Sequence, residues 1–283
     1  MSSKSFDLSQ NIVGSSIDSL VVQGIHYVRK HGTPLDARAG SGLQAYNVNY
    51  ILTNPLNRIH ALRAPTSIRY LSREFLAYFS GSLDAIEMAK ATKFWLSLQD
   101  DEGKINSNYG FYVFHQTTPN GMSQYEWVVN LLDKKPETRR AIININQPHH
   151  KTDTKDMPCT IAMQFFIQKG CLCSVISSRS TDVITGLPYD QGFFSFVLEL
   201  MHQDLIERGH ADLRLGYAMM KATFTQLYDS RQPLEKAILA KADQEFKQIS
   251  MPRIKVAKEV LDDIKNGTAK SEFIQWCQAE AKI

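Results

Sequence analysis

The chain has 283 residues, of which 43% are hydrophobic and 22% charged, and its formal net charge is +3. This composition favours one large folded domain, and the charge is too small to predict nucleic acid or an anionic membrane as the partner. The N-terminal segment MSSKSFDLSQ lacks the apolar core of a secretory signal, and no apolar run reaches the roughly 18–20 residues of a membrane span. We therefore expect a soluble, cytoplasmic protein.

The first half of the chain contains mainly helical patterns. The predicted elements are a helix over 17–28, a strand over 43–52, a helix over 65–81 and a helix over 84–98. In the first helix apolar residues recur with helical spacing, Ser15 or Ser16 can cap its start, and Gly32 ends it.

The second half contains mainly strand patterns around one long apolar helix. The predicted elements are strands over 141–146, 160–168 and 171–177, a helix over 190–209, a strand over 213–224 and a charged helical tail from 252. Lys169-Gly170 predicts a tight turn between two of the strands. Because strands and helices do not alternate, we expect a single α+β domain over 1–283 with a mixed or antiparallel sheet packed by helices. Residues 229–283 remain unassigned.

Four cysteines are present, and they form no CxxC pair. Cys171, Cys173 and Cys277 are interpreted as reduced, small apolar residues, and no metal is predicted. His149-His150 lies in a polar stretch, QPHHKTDTKD, that predicts a surface loop. Cys159 differs because it follows a proline at the head of a strand, and from its own position a buried spacer, a disulfide partner, a metal ligand and a nucleophile all remain open.

Separated motifs in a fixed order accompany Cys159. They are LDARAGSG (35–42), SREFLAYFSGS (72–82), GKINSNYG (103–110), PETRRAI (136–142) and SRSTDVITGLPYD (178–190). Together they resemble the thymidylate synthase superfamily over about 32–228, and most closely its phage-type deoxycytidylate hydroxymethylases. The resemblance implies a thymidylate synthase-like α+β fold and a homodimer formed through the sheet.

The resemblance also implies a covalent mechanism. Cys159 matches the cysteine that attacks C6 of a pyrimidine nucleotide, a reaction for which a thiolate is suited. Arg179 matches an arginine that touches both this cysteine and the phosphate, and its charge would lower the pKa of the thiol.

Phosphate binding is expected from paired guanidinium donors. Arg38 matches the arginine of a mobile loop, and Ser180 matches a hydroxyl that meets the phosphate. Arg139 and Arg140 match a pair that the family donates across the dimer interface, although an isolated Arg-Arg pair more often lies on a solvated face.

Other positions match the part of the family site that binds the folate co-substrate. Glu74 matches a glutamate that orders water and assists proton transfer, and burial would raise its pKa. Tyr109 matches a tyrosine near C5, and Trp95 one that lines the folate pocket, where core packing is the alternative for both. Asp182 matches an aspartate that holds the pterin ring, and its alternative is a turn aspartate.

Two departures from thymidylate synthases predict a cytosine base. Thr160 stands where synthases have histidine, and Asp190 stands where they have asparagine. A protonated carboxyl group can donate to N3 of cytosine and accept from its N4 amino group, so Asp190 is expected to have a raised pKa and to act as reader and general acid.

A third departure concerns the sugar. The family holds it with His-x-Tyr, and the matching stretch puts Lys221 and Thr223 at those positions. Either the alignment is shifted here or the sugar is held differently, which leaves ribose and deoxyribose open.

The expected activity is transfer of a hydroxymethyl group to C5 of dCMP or CMP with 5,10-methylenetetrahydrofolate. The alternatives are action on dUMP, synthase-type methylation, and a catalytically silent relative that binds a nucleotide or a partner. The expected partners are the nucleotide, the folate and a second copy of the chain; the expected location is the cytoplasm, in a host cell if a phage encodes the protein.

Overall fold

The computed structural model describes residues 8–242 and 249–282. Its helices are α1 (Ile17–His31), α2 (Thr66–Phe79), α3 (Ala85–Ala89), α4 (Gln124–Lys134), α5 (Leu187–Glu207), α6 (Gln232–Ala242), α7 (Ala257–Asn266) and α8 (Glu272–Ala281). Its strands are β1 (Gln10–Gly14), β2 (Thr33–Ala37), β3 (Gly40–Leu52), β4 (Ile142–Asn144), β5 (Thr160–Gln168), β6 (Cys171–Asp182) and β7 (Arg214–Tyr228).

All seven strands belong to one mixed sheet. Their order is β1-β3-β7-β6-β5-β4, and β2 pairs with β3 outside this path. The pairs β1–β3 and β6–β7 are parallel and the others are antiparallel. The parallel pair β6–β7 needs a long crossover, which α5 provides. The α+β prediction is confirmed.

Helix α5 forms the centre of the core. Phe193, Phe194 and Phe196 are fully buried, because the helix contacts the sheet as well as α1, α2, α4 and α7. The first predicted helix is confirmed too: Ser16 accepts a hydrogen bond from the Ser19 backbone N–H at the start of α1, and Gly32 follows its last turn. No helix in the described ranges is both long and apolar enough to span a membrane.

Side chains change faces part-way along the central strands. Val48 and Ala222 are a buried pair in the β3–β7 register, whereas Tyr46 and Phe224, the preceding pair, are 42% and 37% exposed. Asn47 lies between them on β3 with φ 53°, in the left-handed region, which breaks the regular alternation of the strand. As a result, Tyr46 and Phe224 turn away from the core and pack against each other on the exposed face of the sheet.

The helix predicted over 84–98 is wrong. Helix α3 ends at Ala89, and a separate 3₁₀ turn covers Lys93–Ser97. The backbone of Thr92 is extended (φ −158°), and its hydroxyl accepts a hydrogen bond from the Phe94 N–H. Thr92 therefore caps the 3₁₀ turn and cannot continue helix α3.

The surface prediction for the two histidines is half wrong. His149 is exposed, but His150 is fully buried. Its Nδ1 accepts from the Gln147 N–H at 3.1 Å, so the neutral ring donates its Nε2–H to the Tyr112 hydroxyl at 2.8 Å. Burial lowers the pKa of His150 to about 4, which keeps the ring neutral.

Candidate active site

The β5–β6 hairpin brings Cys159 to Arg179 and Ser180. Lys169 and Gly170 form the tight turn that the sequence predicts, with φ of 51° and 72°. The turn pairs Thr160 with Ser178, so Cys159 lies just beyond the paired strands. Its Sγ is 3.8 Å from Ser180 Oγ, and its carbonyl accepts from the Arg179 N–H at 2.9 Å.

The guanidinium group of Arg179 supports the loop that carries the thiol. It donates to the carbonyls of Met157 at 2.6 Å and Pro158 at 3.1 Å. Burial raises the pKa of Cys159 above its ordinary value, and the charge of Arg179 acts in the opposite direction. The sequence analysis therefore predicted the direction of the arginine's effect correctly, but the net pKa is raised because the thiol is removed from water.

Two carboxyl groups lie deeper in the same site. Glu74, on α2, is 4% exposed; its Oε1 accepts from the Tyr70 hydroxyl at 2.8 Å, and its Oε2 has no hydrogen-bond partner among the described residues. Burial and the charge of Asp190 raise the pKa of Glu74 to about 8. Asp190 lies in the first turn of α5 and is half-buried, and burial raises its pKa to about 7. The raised pKa expected for both groups is confirmed.

Tyr109 lies against these groups. Its ring stacks on Tyr78 and on Phe194, with 5.5 Å between ring centres in each pair. Burial, Asp190 and Cys159 all raise the pKa of Tyr109 well above its ordinary value, so its phenol is neutral and close to both groups.

Of the arginines predicted to bind phosphate, Arg38 lies near the loop that precedes β5 and carries Cys159 (the thiol loop, 155–159). Arg139 and Arg140 do not. Arg38 is in the β2–β3 turn and donates to the Lys155 carbonyl at 2.9 Å. Arg139 and Arg140 are exposed just before β4, where Ile142 pairs with Gln164. Five residues of strand, roughly 17 Å, separate Gln164 from Cys159 along the chain. Neither guanidinium group forms a hydrogen bond or ion pair with a described residue.

The two residues predicted to bind folate differ in their surroundings. Trp95 packs against the core near Tyr70, and its Nε1 is buried without a partner in the described part of the chain. Asp182 accepts hydrogen bonds from the backbone N–H groups of Ile184 and Thr185 and from the Thr185 hydroxyl. These bonds are those of a turn aspartate, the alternative interpretation of this residue. Its role towards a pterin remains a prediction.

Lys221 and Thr223 lie on β7 beside the part of β6 that leads to Arg179 and Ser180. Both are exposed on β7, and no hydrogen bond or ion pair joins either side chain to another described residue. Tyr228, farther along β7, is the residue whose pKa responds to Cys159 and Arg179, in addition to burial and Asp182. Gln226, two residues earlier, is buried and donates to Gln44 Oε1 at 3.1 Å. The role of Lys221 and Thr223 towards the sugar remains a prediction.

The sequence as a whole is similar to one protein family. The profile of the thymidylate synthase family matches residues 22–272. The chain belongs to the thymidylate synthase family. The match extends past Tyr228 into the helical tail that the sequence analysis left unassigned.

Within this family the chain is similar to phage hydroxymethyltransferases. It is 30% identical over 142 residues to the deoxycytidylate 5-hydroxymethyltransferases of Enterobacteria phages T4 and T2. The matched region covers 48% of this chain and 56% of each relative, so the chain spans about half the length of the curated relatives it matches.

Proposed function

We propose that the protein transfers a hydroxymethyl group to C5 of a cytosine mononucleotide, dCMP or CMP, with 5,10-methylenetetrahydrofolate as co-substrate. Family membership and the phage deoxycytidylate hydroxymethyltransferases support a one-carbon transfer to a pyrimidine nucleotide. The observation that carries the cytosine assignment is the half-buried carboxyl group of Asp190, whose pKa is raised.

Asp190 suits a cytosine ring. With a pKa raised by burial to about 7, it can hold or release a proton near neutral pH. The protonated carboxyl group donates to N3 of cytosine, and its other oxygen accepts from the N4 amino group. A uracil ring presents the opposite pattern at N3 and O4 and would leave one of these groups unpaired.

Cys159 is the nucleophile. The thiolate forms a bond from Sγ to C6, and the electron pair of the C5–C6 double bond moves through C4 to N3, which takes the proton of Asp190. C5 becomes nucleophilic and would form a bond to the one-carbon unit of the folate. Loss of the C5 proton would then expel tetrahydrofolate, which takes up a proton, and water would add to the exocyclic methylene left at C5. Return of the N3 proton to Asp190 with release of Sγ from C6 restores the C5–C6 double bond and the free enzyme. Nucleotide binding must favour the thiolate, because the pKa of the thiol is raised in the free protein.

Tyr228, Ser180, Arg38 and Arg179 are assigned to the rest of the nucleotide. Ser180 and Arg179 adjoin the thiol, and Arg38 lies against the same loop, so these three donors converge on a phosphate beside Cys159. Tyr228 lies near the end of β7, and the charge of Cys159 is one of the causes that raise its pKa. We assign its hydroxyl group to a hydroxyl of the sugar.

The surroundings of Trp95 fit a flat ring system with polar edges. The buried Nε1 offers a free donor, and the neighbouring Phe94, which is 61% exposed, offers an apolar surface. When bound, methylenetetrahydrofolate supplies a one-carbon unit at the oxidation level of formaldehyde. A hydroxymethyl group has that same oxidation level, so addition of water completes the product without a hydride. Glu74 Oε2, buried without a partner in the described ranges, is the group that holds this water.

The active form is assigned as a homodimer in which each subunit lends Arg139 and Arg140 to the other's site. The two guanidinium groups are exposed and free within the described chain. They precede β4, whose first residue pairs with Gln164, about 17 Å along β5 from their own Cys159. The strands also expose large apolar side chains, which a second sheet would cover: Val13, Tyr46, Ile161 and Phe224.

Mass spectrometry of the product tests the proposal. The protein is incubated with methylenetetrahydrofolate and, separately, with dCMP, CMP and dUMP. One added hydroxymethyl group on a cytosine nucleotide is expected, and Cys159→Ala should bind the nucleotide without forming product. A methyl group on dUMP would overturn the cytosine assignment, and no product from any nucleotide would favour a silent nucleotide-binding relative.

A further inference from the structure

Asp156 is a buried carboxylate that joins two distant loops. It is 5% exposed and lies three residues before Cys159. Its Oδ2 accepts from the backbone N–H groups of Asn106 at 2.7 Å and Ser107 at 2.8 Å, and its Oδ1 accepts from the Ser107 hydroxyl at 2.6 Å. In return, Asn106 Nδ2 donates to the Asp156 carbonyl at 2.9 Å. Four hydrogen bonds therefore connect segments that are about fifty residues apart.

Each of the two loops carries a side chain of the candidate site. One leads within two residues from Ser107 to Tyr109, and the other leads from Asp156 through Met157 to Cys159. The far side of the first loop is fixed by Asn108, whose Nδ2 donates to the carbonyls of Ala77 and Ser82. The thiol loop is fixed on its other side by Arg179. Asp156 thus supplies most of the hydrogen bonds between these two segments, and Asn106 Nδ2 adds one to the Thr154 hydroxyl at 3.3 Å.

The charge of this carboxylate is matched inside the protein. Burial raises the pKa of Asp156, whereas its bonds to Ser107 and Asn106 and the charge of Arg179 lower it. A charge-assisted set of bonds of this kind is stronger and geometrically stricter than neutral hydrogen bonds. An apolar residue at this position would leave two backbone N–H groups without their acceptor.

We propose that Asp156 is a positioning residue for the reaction: its carboxylate clamps the Cys159 loop to the Tyr109 segment and so fixes the thiol and the phenol on either side of the pyrimidine. This role rests on the proposed function. It concerns the distance between two groups that act on the same ring, for which a displacement of about 1 Å can cost roughly 10²-fold in rate.

Two substitutions separate geometry from charge. Asp156→Ala removes the three bonds that the carboxylate accepts and keeps the bond to the main-chain carbonyl. We expect kcat to fall by roughly 10²-fold with little change in the KM for nucleotide. Asp156→Asn can keep the geometry, because its Oδ1 accepts from both backbone N–H groups and its Nδ2 donates to the Ser107 hydroxyl. We expect it to restore most of kcat. Ser107→Ala removes one bond of the clamp and should give a smaller loss in the same direction, which covers the case in which Asp156→Ala fails to fold.

Asp263 provides a matched control outside the site. It is 2% exposed, and its carboxylate accepts from the backbone N–H groups of Lys270 and Ser271 and from the Thr268 hydroxyl in the α7–α8 connection. Asp263→Ala should lower the melting temperature while kcat is kept. If folded Asp156→Ala behaves in the same way, with wild-type kcat, Asp156 has only a structural role and the proposal is wrong.

A readout without substrate separates this proposal from the proposed function. The ¹³C-labelled methyl group of Met157, assigned with Met157→Leu, reports on the thiol loop. Its NMR signal should move in Asp156→Ala and stay in Asp156→Asn. Absence of product with the wild-type protein would contradict the proposed function, whereas an unmoved Met157 signal in Asp156→Ala would contradict the clamp.

Discussion

The carboxyl groups of Glu74 and Asp190 interact within one buried site although they come from different helices, α2 and α5. The charge of Asp190 adds to burial in raising the pKa of Glu74 to about 8, and burial raises that of Asp190 to about 7. Two acids that change charge near neutral pH beside a thiol and a phenol form an arrangement suited to proton transfer.

Replacement of Asp190 tests its role as the acid that reads cytosine. Asp190→Asn keeps a donor and an acceptor but cannot transfer a proton, so kcat with a cytosine nucleotide should fall by roughly 10²–10⁴-fold. The amide can instead donate to O4 of uracil and accept from its N3–H, so binding of dUMP should strengthen. Calorimetric titration with dCMP and dUMP, together with the product assay, measures both effects. Unchanged preference between the two bases would contradict the assignment.

Glu74 should make the protein less stable as the pH rises. A folded-state pKa of about 8 against an ordinary value of 4.5 means that the folded protein holds this proton between those pH values and the unfolded chain does not. The free energy of unfolding should therefore decrease as pH rises through this window, by a total on the order of 4 kcal/mol for a fully buried group.

Urea unfolding of Glu74→Gln between pH 5 and 8 measures this effect. The variant should lose less stability over the range than the wild type does, and it should be the more stable protein at pH 8. Glu102→Gln, which alters an exposed glutamate, is the control and should follow the wild type. Parallel pH profiles for Glu74→Gln and the wild type would show that Glu74 is not protonated in the folded protein.

The parts of the site that follow local rules could be predicted from the sequence. Strand 160–168 has the predicted bounds, and the Lys169-Gly170 turn accounts for the meeting of Cys159 with Ser180. Helix α4 was missed although Ser123 and Glu126 form the capping box that its sequence spells, S-x-x-E.

Other features depend on distant partners and had no local signal. His150 is buried because Tyr112, 38 residues away, accepts its hydrogen bond, and the polar stretch around it gave no indication of this. Asp156 was likewise interpreted as part of a surface loop because its partners lie 49 and 50 residues away. The positions of Lys221 and Thr223 beside β6 follow from strand register, which periodicity alone does not fix.

The assignment of Tyr228 to the sugar can be tested with one pair of variants. Tyr228→Phe removes a single hydroxyl group, and loss of one hydrogen bond should raise the KM for nucleotide by roughly tenfold. Lys221→Ala changes an exposed side chain without a partner in the described chain and should leave the KM unchanged. Steady-state kinetics with dCMP and CMP measures both. The reverse result would assign the sugar to Lys221 instead.

Shared sites in a homodimer predict recovery of activity from two inactive proteins. Cys159→Ala lacks the nucleophile, and the double variant Arg139→Ala/Arg140→Ala lacks the lent guanidinium groups, so each dimer alone should be inactive or nearly so. After subunit exchange, half of the dimers are mixed. In each of these, one site combines an intact Cys159 with intact arginines from the other chain. Activity should therefore recover to about one quarter of the wild-type value.

If the arginines instead serve their own subunit, every site in the mixed dimers carries one defect and no activity returns. Sedimentation velocity on the same mixtures confirms that dimers are present, so a monomer would be recognised as a separate outcome that contradicts the shared site.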